Sequence, residues 1–153
     1  LKHLNVDKKR SLSQKYSVNN AIKRLRDRGL VRWEKNKNGV FLRLTHQGEQ
    51  AIELFERKEF KIKKPKKWDG KWRIIIFDIR ETKRGARDKF RKTLQQIGFL
   101  KLQNSVWVYP YDCEDLMTLL KADYKIGKDI LYIIADSIEN DQWVKEHFGL
   151  PKS

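Results

Sequence analysis

The chain has little cysteine and no long apolar segment, and each shortage excludes a class of protein. Cys113 is the only cysteine among 153 residues, which excludes an internal disulfide framework and leads us to expect a reducing, cytoplasmic location. Its acidic neighbours disfavour a thiolate, so we expect an inert thiol. No apolar run approaches the roughly 20 residues of a transmembrane helix, and we expect neither a signal peptide nor a membrane partner.

Acidic residues are scarce in the first part of the chain. Residues 1–67 hold 20 Lys and Arg against 7 Asp and Glu, a net charge of +13, whereas residues 68–153 hold 15 against 13, a net charge of +2. This imbalance predicts a polyanion-binding module joined to a second domain. Nucleic acid is the first candidate, because neutralising phosphates releases counterions. The chain starts at Leu1 without Met, so we expect residues upstream.

The basic part has the pattern helix, hairpin, helix. Residues 17–29 carry apolar side chains at helical spacing, with a serine at the N-cap position and a glycine at the end. Apolar and polar residues alternate over 31–44 on either side of Asn38-Gly39, a strong signal for a hairpin turn. Thr45 is placed to cap a second helix.

This order is typical of a winged helix-turn-helix domain, which we predict over residues 1–57, followed by a basic linker over 58–70. Its second helix would read base edges, because asparagine can pair with adenine and arginine or lysine with guanine, while the wing would hold the DNA backbone. The alternative is a solvated basic helix in a structural domain. The predicted contacts to double-stranded DNA, which need no cofactor, are Ser17, Asn19, Asn20, Lys23, Arg24, Arg26, Arg28, Lys35, Lys37, Asn38 and Arg43.

Residues 71–153 predict a ferredoxin-like βαββαβ domain, so the chain is assigned to the α+β class. The apolar runs 74–77 and 130–135 are expected to form the central strands, with helices on one face of the sheet. A helix capped by Thr82 is expected to present a basic outer face. The predicted elements are strands 72–79, 99–103, 106–109 and 129–135 and helices 82–98, 114–124 and 142–148.

Asp78 closes the first of these strands, and its carboxylate has two interpretations. It could hold Mg²⁺ together with Asp78 of a second subunit and activate a water for phosphodiester hydrolysis. It could instead be structural, paired with Arg73 or Arg80 or capping the following loop. The only nearby acid in the sequence is Glu81, and no histidine is close, so the structural interpretation is favoured.

Two sequence segments carry a resemblance to known families. Phe77-Asp78-Ile79 and Leu102–Val108 (LQNSVWV) resemble the small ferredoxin-like endonuclease of CRISPR spacer acquisition, over roughly residues 72–138. With Trp68–Arg73 (WDGKWR) and the motif that begins at Ser17, residues 11–149 resemble the phenylacetate-catabolism repressor (PaaX) family, in which a winged helix precedes such a nuclease-like domain.

The PaaX resemblance implies a homodimeric DNA-binding transcription repressor that dimerises through its ferredoxin-like domain. The endonuclease resemblance implies an alternative, a Mg²⁺-dependent enzyme acting on DNA or RNA beside a CRISPR integrase partner. The chain departs from the PaaX pattern in a short or absent first helix, which leaves the core of the winged domain incomplete, and in a short C-terminal part, which weakens the case for an acyl-CoA effector site. A third hypothesis makes the second domain only a platform for dimerisation and docking, with its basic helix 83–92 extending the DNA contact.

Overall fold

The computed structural model describes residues 19–57, 64–122 and 127–152, which form two compact units. Within these ranges, unit 1 comprises residues 19–52 and 114–122, and unit 2 comprises residues 53–57, 64–113 and 127–152. Ser17 and the start of its predicted helix lie outside the described residues, as does much of the predicted linker. No helix in the described ranges is both long and apolar enough to cross a bilayer.

Unit 1 is built from helices around a small hairpin. Its elements are helix α1 (residues 19–27), strands β1 (Val31–Asn36) and β2 (Gly39–Leu44), the first part of helix α2 (His46–Glu56) and helix α4 (Glu114–Lys121). Leu25, Leu30 and Val31 form its buried core together with Leu119 and Ala122 from the far end of the sequence. Helix α4 therefore completes the core of unit 1, although it follows strands of the other unit in the chain.

The hairpin of unit 1 pairs β1 with β2 in an antiparallel register from Val31 opposite Leu44 to Asn36 opposite Gly39. The turn is at Lys37 and Asn38, two residues long, so β1 extends further than its apolar alternation indicated. Gly39 opens β2 with φ +128°, a backbone conformation that favours glycine. The predicted hairpin is thus present, with longer strands and a tighter turn.

Thr45 caps α2, as predicted. Its Oγ1 accepts a hydrogen bond from the backbone N–H of Gly48 (3.0 Å) and donates one to the carbonyl of Gly29 (2.6 Å). A Cβ atom at Gly48 would lie 2.1 Å from the backbone oxygen of Leu30, so this close approach requires glycine. One threonine therefore satisfies a helix end and ties it to the segment after α1.

Unit 2 contains a four-stranded antiparallel sheet in the order β4-β5-β3-β6. This is the ferredoxin-like order, and the prediction of an α+β chain with a βαββαβ domain is confirmed. The expectation that 130–135 forms a central strand is wrong, because within the described residues β6 pairs with β3 alone and the central strands are β3 and β5. The elements are β3 (Trp72–Phe77), α3 (Arg84–Ile97), β4 (Leu100–Gln103), β5 (Val106–Tyr109), β6 (Ile130–Ala135) and helix α5 (Gln142–Phe148).

Helices cover both faces of this sheet, whereas the sequence predicted helices on one face. The ring of Phe77 meets the ring of Phe90 edge-on, with centroids 5.2 Å apart, so α3 covers the Phe77 face. Trp72 points to the opposite face, because side chains alternate along a strand. There it packs with Val108 and with Val144 of α5. Because the side chains of β3 alternate between the two faces of the sheet, this strand contributes to two separate cores.

The start of α3 differs from the prediction and its end agrees with it. Thr82 does not cap the helix. It lies in a 3₁₀ turn, Glu81–Lys83, and the N-cap position is Lys83, which makes no side-chain capping hydrogen bond. Gly98 ends the helix in the left-handed conformation, φ +109°. Phe90, Leu94 and Ile97 are buried, as their spacing predicted.

The WDGKWR segment forms the loop that leads into β3. Arg73 is 5% exposed, and its Nη1 and Nη2 donate to the two carboxylate oxygens of Asp69 at 2.8 and 2.6 Å. Nη1 also donates to the carbonyls of Lys71 and Pro110. The hydrogen bonds from Arg73 hold the pKa of Asp69 below its usual value. Two residues of this motif, Asp69 and Arg73, are therefore explained as a buried cation and its carboxylate partner.

Candidate nucleic-acid interface

Helix α1 has one buried and one exposed side. Ala21 and Leu25 are fully buried, while Asn19 and Lys23 lie on the opposite, exposed side. Asn20 is half-buried and Arg26 is exposed, and Arg28 follows the helix in an exposed turn. Ser17 lies outside the described residues, and Asn19, Lys23 and Arg26 are the predicted contacts of this segment that are exposed on the helix.

The guanidinium of Arg24 forms an ion pair with a carboxylate of α4. Its Nε donates to both carboxylate oxygens of Asp115 (3.1 and 3.0 Å), and its Nη2 donates to Asp115 Oδ1 (2.6 Å). The two side chains are 53% and 39% exposed. Asp115 lies in the first turn of α4, 91 residues further along the chain, so its proximity to Arg24 has no signal in the sequence.

The β1–β2 hairpin, which we call the wing, carries four of the predicted DNA contacts. Lys35, Lys37 and Asn38 are exposed at or beside the turn. The backbone N–H of Asn38 donates to Asn36 Oδ1 (2.8 Å), which rigidifies the turn. Arg43 is half-buried, and its guanidinium lies 5.0 Å from the centroid of the Phe41 ring. The wing thus holds two exposed lysines and one arginine whose guanidinium lies over an aromatic ring.

The apolar alternation of the hairpin is only partly buried. Val31 is 3% exposed, but Trp33 is 47% and Val40 58% exposed. Trp33 faces Leu42 across the hairpin, and Val40 faces Lys35, so both belong to the same side of it. Sequence reasoning assigned these two residues to a strand pattern and missed their exposure beside the wing lysines.

The basic outer face predicted for α3 is largely ion-paired. Arg87 lies 3.0 Å from Glu81, Lys89 lies 3.7 Å from Glu56, and Arg84 and Arg91 each approach Asp88 within 4 Å. Arg91 also lies over the ring of Phe77. A groove of about 610 Å³ runs beside these residues, with Lys92 and two glutamines in its lining. Because acids compensate most of these cations, α3 is a weaker phosphate-binding surface than its sequence indicated.

Asp78 follows β3 directly and is exposed. Among the described residues its carboxylate has no hydrogen-bond or ion-pair partner, since Arg73 is bound to Asp69 instead. The proposed structural pairing with Arg73 is therefore wrong. The backbone N–H of Asp78 donates to the carbonyl of Asp129 (3.0 Å), which brings a second acid near the strand end.

The acids near Asp78 do not gather into a metal site within the part of the chain that is described. Asp129 lies 3.4 Å from Lys83, and Glu81 pairs with Arg84 and Arg87. No group of three or more His, Cys, Asp or Glu side chains that could hold a metal ion occurs in residues 19–57, 64–122 and 127–152. One chain thus offers Asp78 as a single exposed carboxylate, and a complete Mg²⁺ site would need further ligands.

Cys113 is buried at 5% exposure, directly before α4. Its Sγ lies 3.9 Å from the hydroxyl of Tyr132, and burial raises the pKa of that tyrosine. Neither group is accessible enough to act as a nucleophile at the surface.

One comparison with known proteins agrees with this architecture. A search of curated proteins found no match to the chain. The family model described as the PaaX protein central Cas2-like domain matches residues 65–145, which is more than half of the chain and includes all four strands of the unit 2 sheet. The chain therefore belongs to the PaaX family and carries its central Cas2-like domain.

Proposed function

We propose that this protein is a DNA-binding transcription regulator that uses α1 and the β1–β2 wing as its DNA contact. The observation that carries the proposal is the arrangement of α1, in which Asn19, Lys23 and Arg26 are exposed on a helix whose other side is buried. A wing with two exposed lysines follows it directly. This combination supplies base-reading and phosphate-binding groups together. Membership in the PaaX family supports a regulatory role.

The exposed Trp33 and Val40 fit the same function. Apolar side chains beside lysines can pack against the sugars of a DNA groove while the cations hold the phosphates. Outside such a contact, an exposed tryptophan next to an exposed valine would only add apolar surface to water. The wing is therefore proposed to contact DNA through its apolar side as well as its charges.

The proposal predicts that charge loss on the wing weakens binding to all DNA sequences. Lys35→Gln together with Lys37→Gln should lower the affinity for both random and selected duplexes, and should reduce the slope of log K against log salt by about 2. Each lysine that contacts a phosphate releases about one counterion, which is the reason for the slope. The measurement is a gel-shift or anisotropy titration over a salt series.

The matched control removes two exposed lysines from unit 2, with Lys92→Gln and Lys101→Gln. If DNA contacts unit 1, this variant should keep the wild-type slope. An equal loss in the control would place unit 2 within the DNA contact, in line with the third hypothesis. Absence of binding by the wild type at low salt, or binding that does not respond to salt, would refute the proposed function.

We also infer that the protein is a homodimer through unit 2. The support is an apolar row across three strands, Val106, Ile76 and Leu131, which face one another in the register of the sheet. Leu131 is 55% and Ile76 36% exposed, and strand alternation places the row on the face opposite Phe77 and α3. In the part of the chain that the structure describes, β6 is also an edge strand, and its outer side has no strand partner there. A second copy would cover both features.

Leu131→Glu should therefore convert a dimer to a monomer. A carboxylate at the centre of an apolar interface would lose its hydration without a partner, which costs several kcal/mol. Sedimentation or light scattering over a concentration series gives the result. Leu54→Glu, at a leucine that is 45% exposed on α2, is the matched control and should leave the mass unchanged. A wild type that is monomeric throughout would contradict the inference.

The second candidate function is a Mg²⁺-dependent endonuclease that uses Asp78 from each of two subunits. The observation that favours it is the exposed Asp78 carboxylate, which lacks a partner in the described residues. Mg²⁺ would be held by few carboxylates and would keep most of its waters. The deciding assay compares cleavage of DNA and RNA with Mg²⁺, Mn²⁺ or chelator in the wild type and in Asp78→Ala. Cleavage that survives Asp78→Ala would refute this candidate.

A further inference from the structure

The contact between α1 and α4 bears on how strongly the protein binds DNA. Arg24 is one of the residues expected to face bases, and in the structure both Nε and Nη2 donate to Asp115. Arginine binds guanine and phosphate through pairs of parallel N–H groups, and the Nε–Nη2 edge is one of the two edges that can do so. A carboxylate on this edge therefore occupies the position that a DNA acceptor would take.

The negative charge of Asp115 also disfavours DNA binding at Arg24, in addition to its position. Asp115 places a negative charge 2.6 Å from the guanidinium, so the net charge of the pair is zero. A phosphate that approaches Arg24 must displace this carboxylate or approach it at close range, within the distance at which salt does not screen the repulsion. Asp115 thus imitates the acceptor and opposes the charge of DNA at one residue of the proposed interface.

The backbone that carries Asp115 is firmly held. Leu119, four residues later on the same helix, is 5% exposed and belongs to the unit 1 core with Leu25, which is adjacent to Arg24 in α1. Side chains four apart lie on the same face of a helix, so burial of Leu119 directs Asp115 towards α1. The ion pair is thereby positioned by packing, while both of its side chains are partly exposed and can separate without opening the core.

We propose that Asp115 is an internal competitor of DNA, which lowers the affinity of the interface by occupying Arg24. The proposal rests on the proposed DNA-binding function. It goes beyond that function because it assigns a restraining role to an acidic residue of α4, which in sequence belongs to the Cas2-like domain matched over residues 65–145. DNA binding would exchange the Arg24–Asp115 contact for a contact between Arg24 and a phosphate or a guanine.

The test is a double-mutant cycle on the affinity for a fluorescent random-sequence duplex of about three helical turns, measured with the full chain. Asp115→Asn should raise the affinity about two- to fivefold at low salt, as expected for a partly exposed ion pair, and the gain should shrink as salt is added. Arg24→Gln should lower the affinity. In the Arg24→Gln background, Asp115→Asn should have little further effect on the affinity, because no guanidinium remains at position 24 for Asp115 to bind.

Glu49→Gln is the matched control, since Glu49 is an exposed acid on α2 of unit 1 that has no ion-pair partner among the described residues. It removes the same charge, and its effect should be equal with and without Arg24. Asp115→Glu, which keeps the charge, should stay near the wild-type affinity. Circular dichroism melts check that the variants fold, and Asp115→Ser replaces Asp115→Asn if that variant melts early.

The outcomes separate this proposal from the proposed function. If the wild type binds DNA and Asp115→Asn leaves the affinity unchanged or lowers it, Asp115 does not compete and the proposal is overturned while DNA binding stands. A gain that persists in the Arg24→Gln background would be a general charge effect and would also overturn it. A wild type that does not bind DNA at all overturns both.

Discussion

Leu119→Ala is expected to destabilise unit 1 by about 2–5 kcal/mol, as buried leucine truncations do. Leu119 is 5% exposed and shares the core of unit 1 with Leu25, Leu30 and Val31. The truncation removes apolar contacts and leaves a cavity beneath α1. Because α1 carries the proposed DNA contacts, the variant should also lose DNA affinity once the fraction of folded unit 1 falls.

Hydrogen exchange is the appropriate measurement, since it reports the opening of individual segments. The amide of Leu30, which donates to the carbonyl of Leu25 at 2.9 Å, should exchange faster in Leu119→Ala. Leu54→Ala, at a leucine that is 45% exposed, is the matched control and should change stability by less than about 0.5 kcal/mol. Faster exchange in β3 with unchanged exchange at Leu30 would show that α4 does not support unit 1.

The second large effect is expected at Asp69. Asp69→Ala leaves the buried Arg73 with two carbonyl acceptors and without its hydrogen-bonded counter-charge, which should cost about 2–3 kcal/mol of unfolding free energy. This lies below the usual cost of breaking a buried pair, because the Asp69 side chain is 49% exposed and its charge is partly screened. Urea denaturation at pH 7 measures the loss.

The pH dependence of this loss has a definite sign. The pKa of Asp69 is lowered in the folded protein, so its stabilising contribution is present above the unfolded pKa of about 4 and is lost as the pH falls through the folded pKa. The difference between wild type and Asp69→Ala should therefore shrink in acid. A difference that is constant from pH 7 to pH 3 would mean that the charge of Asp69 does not stabilise Arg73.

A cycle with Arg73→Met completes the experiment. Once the buried cation is replaced by an apolar side chain, Asp69→Ala should cost little, because the penalty arises from the unpaired guanidinium rather than from the loss of the aspartate itself. Additive losses in the double variant would contradict the pairing of these two residues.

Local sequence signals predicted most of the secondary structure. The hairpin, the Thr45 cap, the buried stripe of α3 and its end at Gly98 all depend on residues within a few positions of one another. Thr82 was the exception, since a capping residue type is necessary but not sufficient. The chain enters α3 through a 3₁₀ turn, which moves the N-cap position to Lys83.

The candidate site was less predictable, because charge in a sequence carries no information on pairing. The sequence predicted a basic face on α3 from its cations. The acids that neutralise these cations include Glu56, which precedes the helix by about thirty residues. The sequence predicted that Arg24 contacts a base, but its ion-pair partner, Asp115, lies 91 residues away in the chain. The exposure of Trp33 and Val40 was also hidden, since strand alternation shows which residues share a side but not where the covering core ends.

By itself, the sequence determined the α+β class, the order of the elements, the basic character of the first part and the resemblance to the PaaX family, because periodicity, turn residues and motifs are local. Only the tertiary structure decided that β6 lies at an edge and that α4 packs into unit 1. It also decided that Asp115 lies against Arg24 and that Asp69 neutralises Arg73. Except for Asp69 and Arg73, which are four residues apart, these are pairings between distant segments, and packing selects them from alternatives that the linear pattern leaves equal.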